Sequence, residues 1–417
     1  MDKTVLAGWT NEPNERGTIN LLWSCFLVIF TSVWTVIHLN LPAKDDGRAR
    51  VLARKLRWVA MAILAPDLVT LNSAAQWRRA TDSVLEMQKL GHNSWTLEHA
   101  FFADSGGFWL ESSDYPAFPV TAASVYYLVK ENYIPCPSIT KEQIWDKSKA
   151  DRFAKGFALL QSFWMVMQSI ARTTEGLPIS PLELFTLAFV VSTLMSYFFW
   201  FHKPQNVAVA TTLRLNSSAS SIATVLREAG PQAAHPFADT PLDFIEKPLQ
   251  VWKRRPMLQR FDLKQRPLQR LPNDTITPTI ISDMRWWEVT LVVGPSIIHS
   301  AIHILGWNFV FPTRIEQYLW RAAALTLASG MPTFLVGEKV LRAMGFQGQK
   351  SLVWIWVMPE LKQKGLKYQI IDVWGVVITC CMVMARLCLI GETLASLRAL
   401  PKDVYRTIHW TGVFPHV

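Results

Sequence analysis

Residues 370–394 read IIDVWGVVITCCMVMARLCLIGETL, and this stretch decides the fold class. An α-helix needs about 20 mostly apolar residues to cross the ~30 Å hydrocarbon core of a bilayer. Residues 153–171 form a second run of that length, with Gln161 and Gln168 on one helical face, as is typical of a helix packed against other helices. Four more runs meet the requirement, at residues 19–40, 182–201, 289–311 and 318–336.

The sequence therefore predicts an all-α fold, a polytopic membrane helix bundle that occupies residues 1–417 as one domain. It has six transmembrane helices and additional interfacial amphipathic helices, among them residues 65–90 and 118–133. The composition agrees, because hydrophobic residues make up 50% of the chain and charged residues only 18%, against about 25% in a typical soluble domain. The five Cys are too sparse for a disulfide scaffold.

The positions of Lys and Arg indicate the orientation of the bundle. With an external N-terminus, six spans place three segments in the cytosol: a helical or interfacial segment at 41–152, a basic flexible loop at 203–285, and residues 338–368. Near the span ends these segments hold about three times as many Lys and Arg as the opposite side, as the positive-inside rule requires. The net charge of +10 therefore favours a lipid bilayer as the partner and argues against nucleic acid.

A seventh span is the alternative. Residues 58–71 form an apolar run of about 14 residues, which is more typical of an interfacial or re-entrant helix than of a span. Pro66-Asp67 interrupts this run, so Asp67 is either the acid at a helix N-terminus or a buried acid. A seventh span would also destroy the charge separation. Against six spans, Asn216-Ser-Ser and Asn273-Asp-Thr are glycosylation acceptor patterns, which are usable only in a lumenal loop.

Several segments in order along the chain resemble a widespread, mostly uncharacterised family of fungal polytopic integral membrane proteins. They are GWTNEPNERGTI at 8–19, HAFFADSGGF at 99–108, DKSKAD at 146–151, FPTRIE at 311–316 and HWTGVFPH at 409–416. The resemblance implies a multi-pass fungal membrane protein, which we expect in the endoplasmic reticulum or another endomembrane. It transfers no established catalytic residue. Proteins of this kind sometimes accompany enzymes of secondary metabolism.

His299 and His303 are the first candidate site residues. They stand four residues apart, so they share one face of the fifth predicted span. Two imidazoles at this spacing either bind a transition metal or form hydrogen bonds across helices. A second His-rich box is missing from the sequence, which argues against membrane di-iron hydroxylases. We therefore predict no metal site, and the sequence identifies no cofactor.

Arg386 is the second candidate, because it lies near the middle of the last predicted span. A charge there costs roughly 2.5–3.5 kcal/mol on insertion scales, so Arg386 needs a partner or a polar cavity. Glu183, Glu288 and Glu316 are the candidate partners. A structural ion pair and a cavity that binds an anionic group both stay open. We predict a polar cavity near His299, His303, Glu316 and Arg386, closed from the cytosolic side by the segment at 41–154.

The third candidate group is Glu98, His99 and Asp104, which precede Gly106-Gly107. Carboxylates and an imidazole on a loop bind a metal or act as general acid and base. The alternative is that these side chains are solvated and carry no function.

Three functions stay open at this stage. The first is an enzyme that acts on a lipophilic, terpenoid- or polyketide-like intermediate of fungal secondary metabolism, with that small molecule as its partner. The second is a transporter, and the third is a receptor or scaffold without catalysis. The sequence shows no phosphate-binding loop, dinucleotide fingerprint, nucleophile elbow or diphosphate motif. It leaves the oligomeric state open.

Overall fold

The computed structural model describes residues 5–12, 16–148, 152–216, 221–229, 271, 286–346 and 366–408. These residues are mostly helical, and most of the predicted flexible loop at 203–285 lies outside them. The helices are α1 (Thr18–Val36), α2 (Arg48–Leu64), α3 (Pro66–Lys89), α4 (Leu97–Asp104), α5 (Ala122–Lys130), α6 (Lys141–Lys147), α7 (Arg152–Thr174), α8 (Pro181–Phe199), α9 (Ile222–Ala229), α10 (Trp286–Ile302), α11 (Arg314–Ala343) and α12 (Leu366–Ala395).

Each of the six long apolar runs forms a helix, namely α1, α7, α8, α10, α11 and α12. Four segments in the described part of the chain are long and apolar enough to cross a membrane: α1, α8, α11 and residues 373–398 around α12. The count rises to five if the bent pair of α2 and α3 is one span. α10 is shorter and continues as a 3-10 turn over His303–Gly306.

A bend of 112° separates α2 from α3. It falls at Ala65, directly before Pro66, because proline disfavours helical backbone in the residue that precedes it. The two helices differ in burial. α3 is buried along most of its first half and packs against α8 and α10, whereas α2 exposes Leu52, Leu56 and Leu64. α3 therefore belongs to the interior of the bundle, and α2 covers it.

Two small sheets make the all-α prediction incomplete. β2 (Phe108–Glu111) pairs antiparallel with β3 (Phe118–Val120) and parallel with β4 (Thr211–Arg214). The prediction of one helix over 118–133 was wrong at its start, because the buried Phe118-Pro119-Val120 forms β3 and Thr121 then caps α5. The second sheet pairs β1 (Leu6–Ala7) with β5 (Leu400–Pro401) near the two ends of the chain.

Four segments of the chain meet at one end of the bundle. Beside the β1–β5 pair, Arg16 contacts Glu183 at the start of α8, at 2.5 Å, and Glu316 at the start of α11 forms an ion pair with Arg398. The N-terminal segment, the α7–α8 turn, the α10–α11 turn and the C-terminal segment therefore share this end. At the other end, Lys203 after α8 donates a hydrogen bond to the carbonyl of His38 after α1, at 3.0 Å.

Candidate functional site

Arg386 on α12 lies at the centre of a polar cluster and is only 1% exposed. Its Nη1 atom lies 3.4 Å from Nε2 of His299 and 3.4 Å from Nε2 of His303, both contributed by the α10 segment. Three of the four residues predicted for the polar cavity therefore meet. The spacing of four residues between the histidines places both rings on the face of α10 that points toward α12.

The hydrogen bonds of the two histidines fix their tautomers. Nδ1 of His299 donates to the carbonyl of Ala188 on α8 at 2.7 Å, and Nδ1 of His303 donates to the carbonyl of Ser300 at 3.3 Å. Each Nε2 then carries a lone pair, which accepts from the guanidinium of Arg386. Both rings are consequently neutral, because an imidazolium would set a second N–H against the arginine.

Two aromatic rings of α8 hold the guanidinium of Arg386 in place. Its central carbon lies 4.4 Å from the ring centre of Phe185 and 4.7 Å from that of Phe189. The same rings meet His303 and His299 edge to face. Cation–π contacts of this kind stabilise a cation most strongly when it is removed from water. The aromatic pair and the histidine pair therefore fix the orientation of the guanidinium.

One edge of the guanidinium of Arg386 remains open. Nε and Nη2 have no hydrogen-bond partner among the described residues. These two nitrogens lie side by side, and their N–H groups form the fork that recognises two oxygen atoms or one shared oxygen. A buried donor left without an acceptor carries a desolvation cost of about 1–3 kcal/mol, and more when it is charged.

Asp67, the second residue of α3, faces this region. Its side chain interacts electrostatically with Arg386, and it is only 8% exposed. Its Oδ1 atom has no hydrogen-bond partner within the described part of the chain. Ser296 of α10 lies beside the same carboxyl group. Arg386 thus has two donors, and Asp67 one acceptor, that are not paired with other described residues.

The carboxylates proposed from the sequence as partners of Arg386 lie elsewhere. Glu316 accepts a hydrogen bond from Thr313 at 2.9 Å and forms an ion pair with Arg398, so its placement in the cavity was wrong. Glu183 is paired with Arg16, and the side chain of Glu288 lies outside the described residues. Sequence analysis missed Asp67 as the partner. The available signal was a single carboxylate inside the short apolar run at 58–71.

Glu98, His99 and Asp104 each have a structural partner: Glu98 and His99 both contact the hydroxyl of Thr96, whereas Asp104 contacts the start of α5. Glu98 accepts hydrogen bonds from Thr96 and from His202, both at 2.7 Å. Nε2 of His99 lies 2.7 Å from the carbonyl of Ile139. The carboxylate of Asp104 accepts from the backbone N–H of Ala122 at 2.9 Å, at the start of α5. These contacts fasten α4 to neighbouring segments.

Lys203 is a buried cation that sequence analysis did not single out as a site. Its ammonium group donates to the His38 carbonyl at 3.0 Å, to Asn40 at 3.1 Å and to Gln76 at 2.8 Å. Burial lowers the pKa of Lys203 to about 7. Since all three N–H groups have acceptors, Lys203 connects α1, α3 and α8 and leaves no donor for a ligand.

The bundle also has a groove, but no metal cluster among its described residues. Within the described ranges, no group of three or more His, Cys, Asp or Glu side chains could hold a metal ion. A groove of about 840 Å³ lies between α1 and α7, and its lining includes Trp23, Gln161, Trp164 and Gln168. Gln161 accepts a hydrogen bond from Thr31 of α1 at 3.0 Å. The predicted glutamine face therefore packs partly against α1 and partly borders this groove.

Comparison with known proteins yields one match. The sequence model of a family of unknown function, DUF8562, matches residues 2–227 and 290–417. The chain belongs to the DUF8562 family. The matched residues include all of α11 and α12, and α10 from residue 290 onward. Asp67, His299, His303 and Arg386 therefore all lie within the family region. No curated protein and no solved structure matches the chain.

Proposed function

We propose that this DUF8562 chain is a multi-pass integral membrane protein of an endomembrane, with α1, α7, α8, α10, α11 and α12 as its six spans. Four of these pass the length and hydropathy test. The contacts that gather the N-terminal segment, the α7–α8 turn, the α10–α11 turn and the C-terminal segment at one end support an even number of crossings. α2 and α3 then form a re-entrant hairpin, inserted from the end that holds residues 41–148.

The re-entrant hairpin explains the burial pattern of α2 and α3. Irregular backbone at membrane depth is tolerated only where protein or a polar cavity covers it. The bend at Ala65 and Pro66 is covered on its inner side, because Pro66 and Asp67 are buried. α2 faces outward with Leu52, Leu56 and Leu64, which suits contact with lipid chains. Arg48 and Arg50 lie in its first turn, at the level expected for headgroups.

We propose further that the protein is an enzyme that acts on a lipophilic, terpenoid- or polyketide-like intermediate at the Arg386 cluster. The observation that carries this proposal is the open Nε and Nη2 edge of a fully buried arginine. A substrate oxygen placed there receives two charge-assisted hydrogen bonds, which stabilise negative charge that develops during reaction. In this proposal Asp67, which interacts electrostatically with Arg386, acts as the general base. The histidines hold the arginine and do not touch the substrate.

Metabolite profiling tests this proposal. In a strain that lacks the gene, we expect one product to disappear and one precursor to accumulate, in lipid extracts as well as in the medium. The wild-type gene restores the product, whereas Arg386→Gln does not. Arg342→Gln serves as the matched control, because Arg342 forms an exposed pair with Glu338 on α11. Restoration by Arg386→Gln at normal protein level would exclude this site.

A transporter is the second candidate, and one observation favours it. Broken helices with a charged residue at the break are typical of substrate and ion sites in transporters, and Asp67 lies at the break between α2 and α3. The same profiling separates the two functions. A transporter redistributes unchanged compounds between cells and medium, whereas an enzyme changes which compounds exist.

A further inference from the structure

The groove between α1 and α7 has the dimensions and the lining of a lipid site. Its volume of about 840 Å³ lies within the usual range of small-molecule pockets, roughly 300–1,000 Å³. We propose that it binds a lipid whose head is uncharged and carries hydroxyl groups, such as a monoacylglycerol. This inference rests on the proposed placement of α1 and α7 in the membrane and is independent of the Arg386 cluster.

The length of the groove matches one leaflet of a bilayer. On α1 its lining extends from Ile19 to Val28, a rise of about 14 Å, which is close to half of the ~30 Å hydrocarbon core. On α7 it extends from Leu160 to Gln168, and the N-terminal segment borders its mouth with residues 10–12. The groove therefore accommodates the head and the upper chain of one lipid from the leaflet next to the N-terminal segment.

The polar part of the lining is almost entirely uncharged. It consists of Asn20, Ser24, Gln161 and Gln168 on the helices and Thr10, Asn11 and Glu12 at the mouth. Among the described residues, the lining includes no Lys, Arg or His. A phosphate or carboxylate that leaves water is best stabilised by charge-assisted hydrogen bonds, and here the charged group that it would meet is the carboxylate of Glu12. The lining therefore disfavours an anionic head.

The amide side chains of the groove suit a hydroxyl group. An amide offers an acceptor and two donors, and a hydroxyl group can both accept and donate. The side chains of Asn20 and Gln168 form no hydrogen bond with another described residue. Gln161 accepts from Thr31 at 3.0 Å. Because an unpaired polar group at membrane depth is costly, a ligand with hydroxyl groups supplies the partners that the described chain does not.

Aromatic side chains provide a surface for the hydrocarbon chain. Trp23 and Trp164 line the groove, and each is more than half exposed. Trp23 also begins a row of stacked rings along α1 that continues with Phe26, Phe30 and Trp34, at centroid distances of 5.7–5.8 Å. A chain that enters beside the two indoles therefore has an apolar path along α1, while its head stays at the mouth of the groove.

Photolabelling of the purified full-length protein in detergent tests the inference. The label is a monoacylglycerol with a diazirine in its acyl chain, and labelled peptides are mapped by mass spectrometry. Three unlabelled lipids with the same oleoyl-length chain compete with it: monooleoylglycerol, oleoyl lysophosphatidate and oleylamine. Gln168→Lys places a cation in the groove. Ile170→Lys is the matched control, because Ile170 is exposed on the same helix and does not line the groove.

For the wild type we expect labels within residues 19–28 and 160–168. Monooleoylglycerol should displace them at a concentration about tenfold lower than lysophosphatidate, since the phosphate has to leave water without a cationic partner. Gln168→Lys should reverse this order, whereas Ile170→Lys should keep the order of the wild type. The wild-type competition decides the ligand class even if Gln168→Lys does not fold.

Three results overturn the inference in different ways. If lysophosphatidate or oleylamine displaces the label best in the wild type, the head is charged and the lipid class is wrong. If Phe26 and Phe163, which are exposed outside the groove, are labelled as strongly as its lining, the groove is not a site, while the membrane placement stands. If neither α1 nor α7 is labelled, the proposed membrane placement of these helices fails together with the inference.

Discussion

Arg172 at the end of α7 donates a hydrogen bond of 2.8 Å to the carbonyl of Val404, which lies 232 residues later in the chain. The same guanidinium also donates to the carbonyls of Pro178, Asp403 and Arg406, at distances between 2.9 and 3.2 Å. Arg172 is fully buried. One side chain thus connects the α7–α8 turn with the C-terminal segment, at the end of the bundle where the β1–β5 pair also lies.

Replacing Arg172 by Gln should destabilise this end of the bundle. A shorter neutral side chain leaves several buried carbonyls without donors, and the loss of one charged partner costs about 1.5–3 kcal/mol. We expect a lower Tm and faster proteolysis near the C-terminus in detergent. Arg406→Gln is the control, because the Arg406 side chain forms an exposed pair with Asp403 and its backbone carbonyl is unchanged by the substitution. Equal stability of the two variants would contradict the role given to Arg172.

The long helices were predictable from the sequence because their signal is local. A run of about 20 apolar residues specifies a helix whatever its neighbours are, and all six predicted runs are helical. The start of α6 was also predictable, since Thr140 and Gln143 form a capping box that depends on four consecutive residues. The sheet of β2, β3 and β4 was missed because β4 pairs with β2 from about a hundred residues away.

The candidate site was predictable only in part, for the same reason. The spacing of His299 and His303 and the depth of Arg386 are local properties, and the structure brings these three residues together. Which carboxylate lies near Arg386 depends on which helices pack against α12. Glu316 was a candidate because it lies near the end of a predicted span, but it pairs instead with Arg398, which closely follows α12. Asp67 reaches the site only because the chain bends at Ala65, and no periodicity in the sequence shows that.

Gly330 and Gly337 should be intolerant of any added side chain. Both lie on α11, seven residues apart, and face α12. A Cβ at Gly330 would lie 2.7 Å from Cγ of Met382, and one at Gly337 would collide with the indole of Trp374. Overpacking typically costs about 1–3 kcal/mol. We expect Gly337→Ala to lower Tm more than Gly330→Ala, because a methionine chain adjusts more easily than an indole ring.

Gly391 is the matched control for both alanine substitutions. It lies within α12, and nothing lies within 4 Å of the position where its Cβ would be. Gly391→Ala should be neutral or stabilising by about 0.5–1 kcal/mol through helix propensity. If all three variants lower Tm equally, close packing of α11 against α12 does not explain the loss of stability.

The carboxylate of Glu98 should stabilise the folded protein near neutral pH, and acid should remove this contribution. Burial raises the pKa of Glu98, but hydrogen bonds from Thr96 and His202 outweigh it, so the pKa lies below its usual value of 4.5. A carboxyl group whose pKa is lower in the folded than in the unfolded protein stabilises the fold at pH values above its pKa in the unfolded chain. This stabilisation is lost as the pH falls through the pKa of the folded protein. The difference in Tm between wild type and Glu98→Gln should therefore be constant near neutral pH and shrink below about pH 4.5. Glu86→Gln, on the exposed face of α3, is the control; a difference that grows in acid would contradict the assignment.

Asn216 provides a test of the orientation proposed for the bundle. It is exposed after β4, and its side chain donates to the carbonyl of Asn132 at 2.8 Å, within the segment that we place in the cytosol. Glycosylation occurs only on the lumenal side. We expect Asn216→Gln and Asn273→Gln to leave the mobility of the protein on a gel unchanged, with or without glycosidase. An acceptor tripeptide on a linker ahead of Met1 should instead be modified, because the N-terminal segment lies at the opposite end of the bundle. A glycan on Asn216 would require the inverse orientation, with the N-terminal segment in the cytosol.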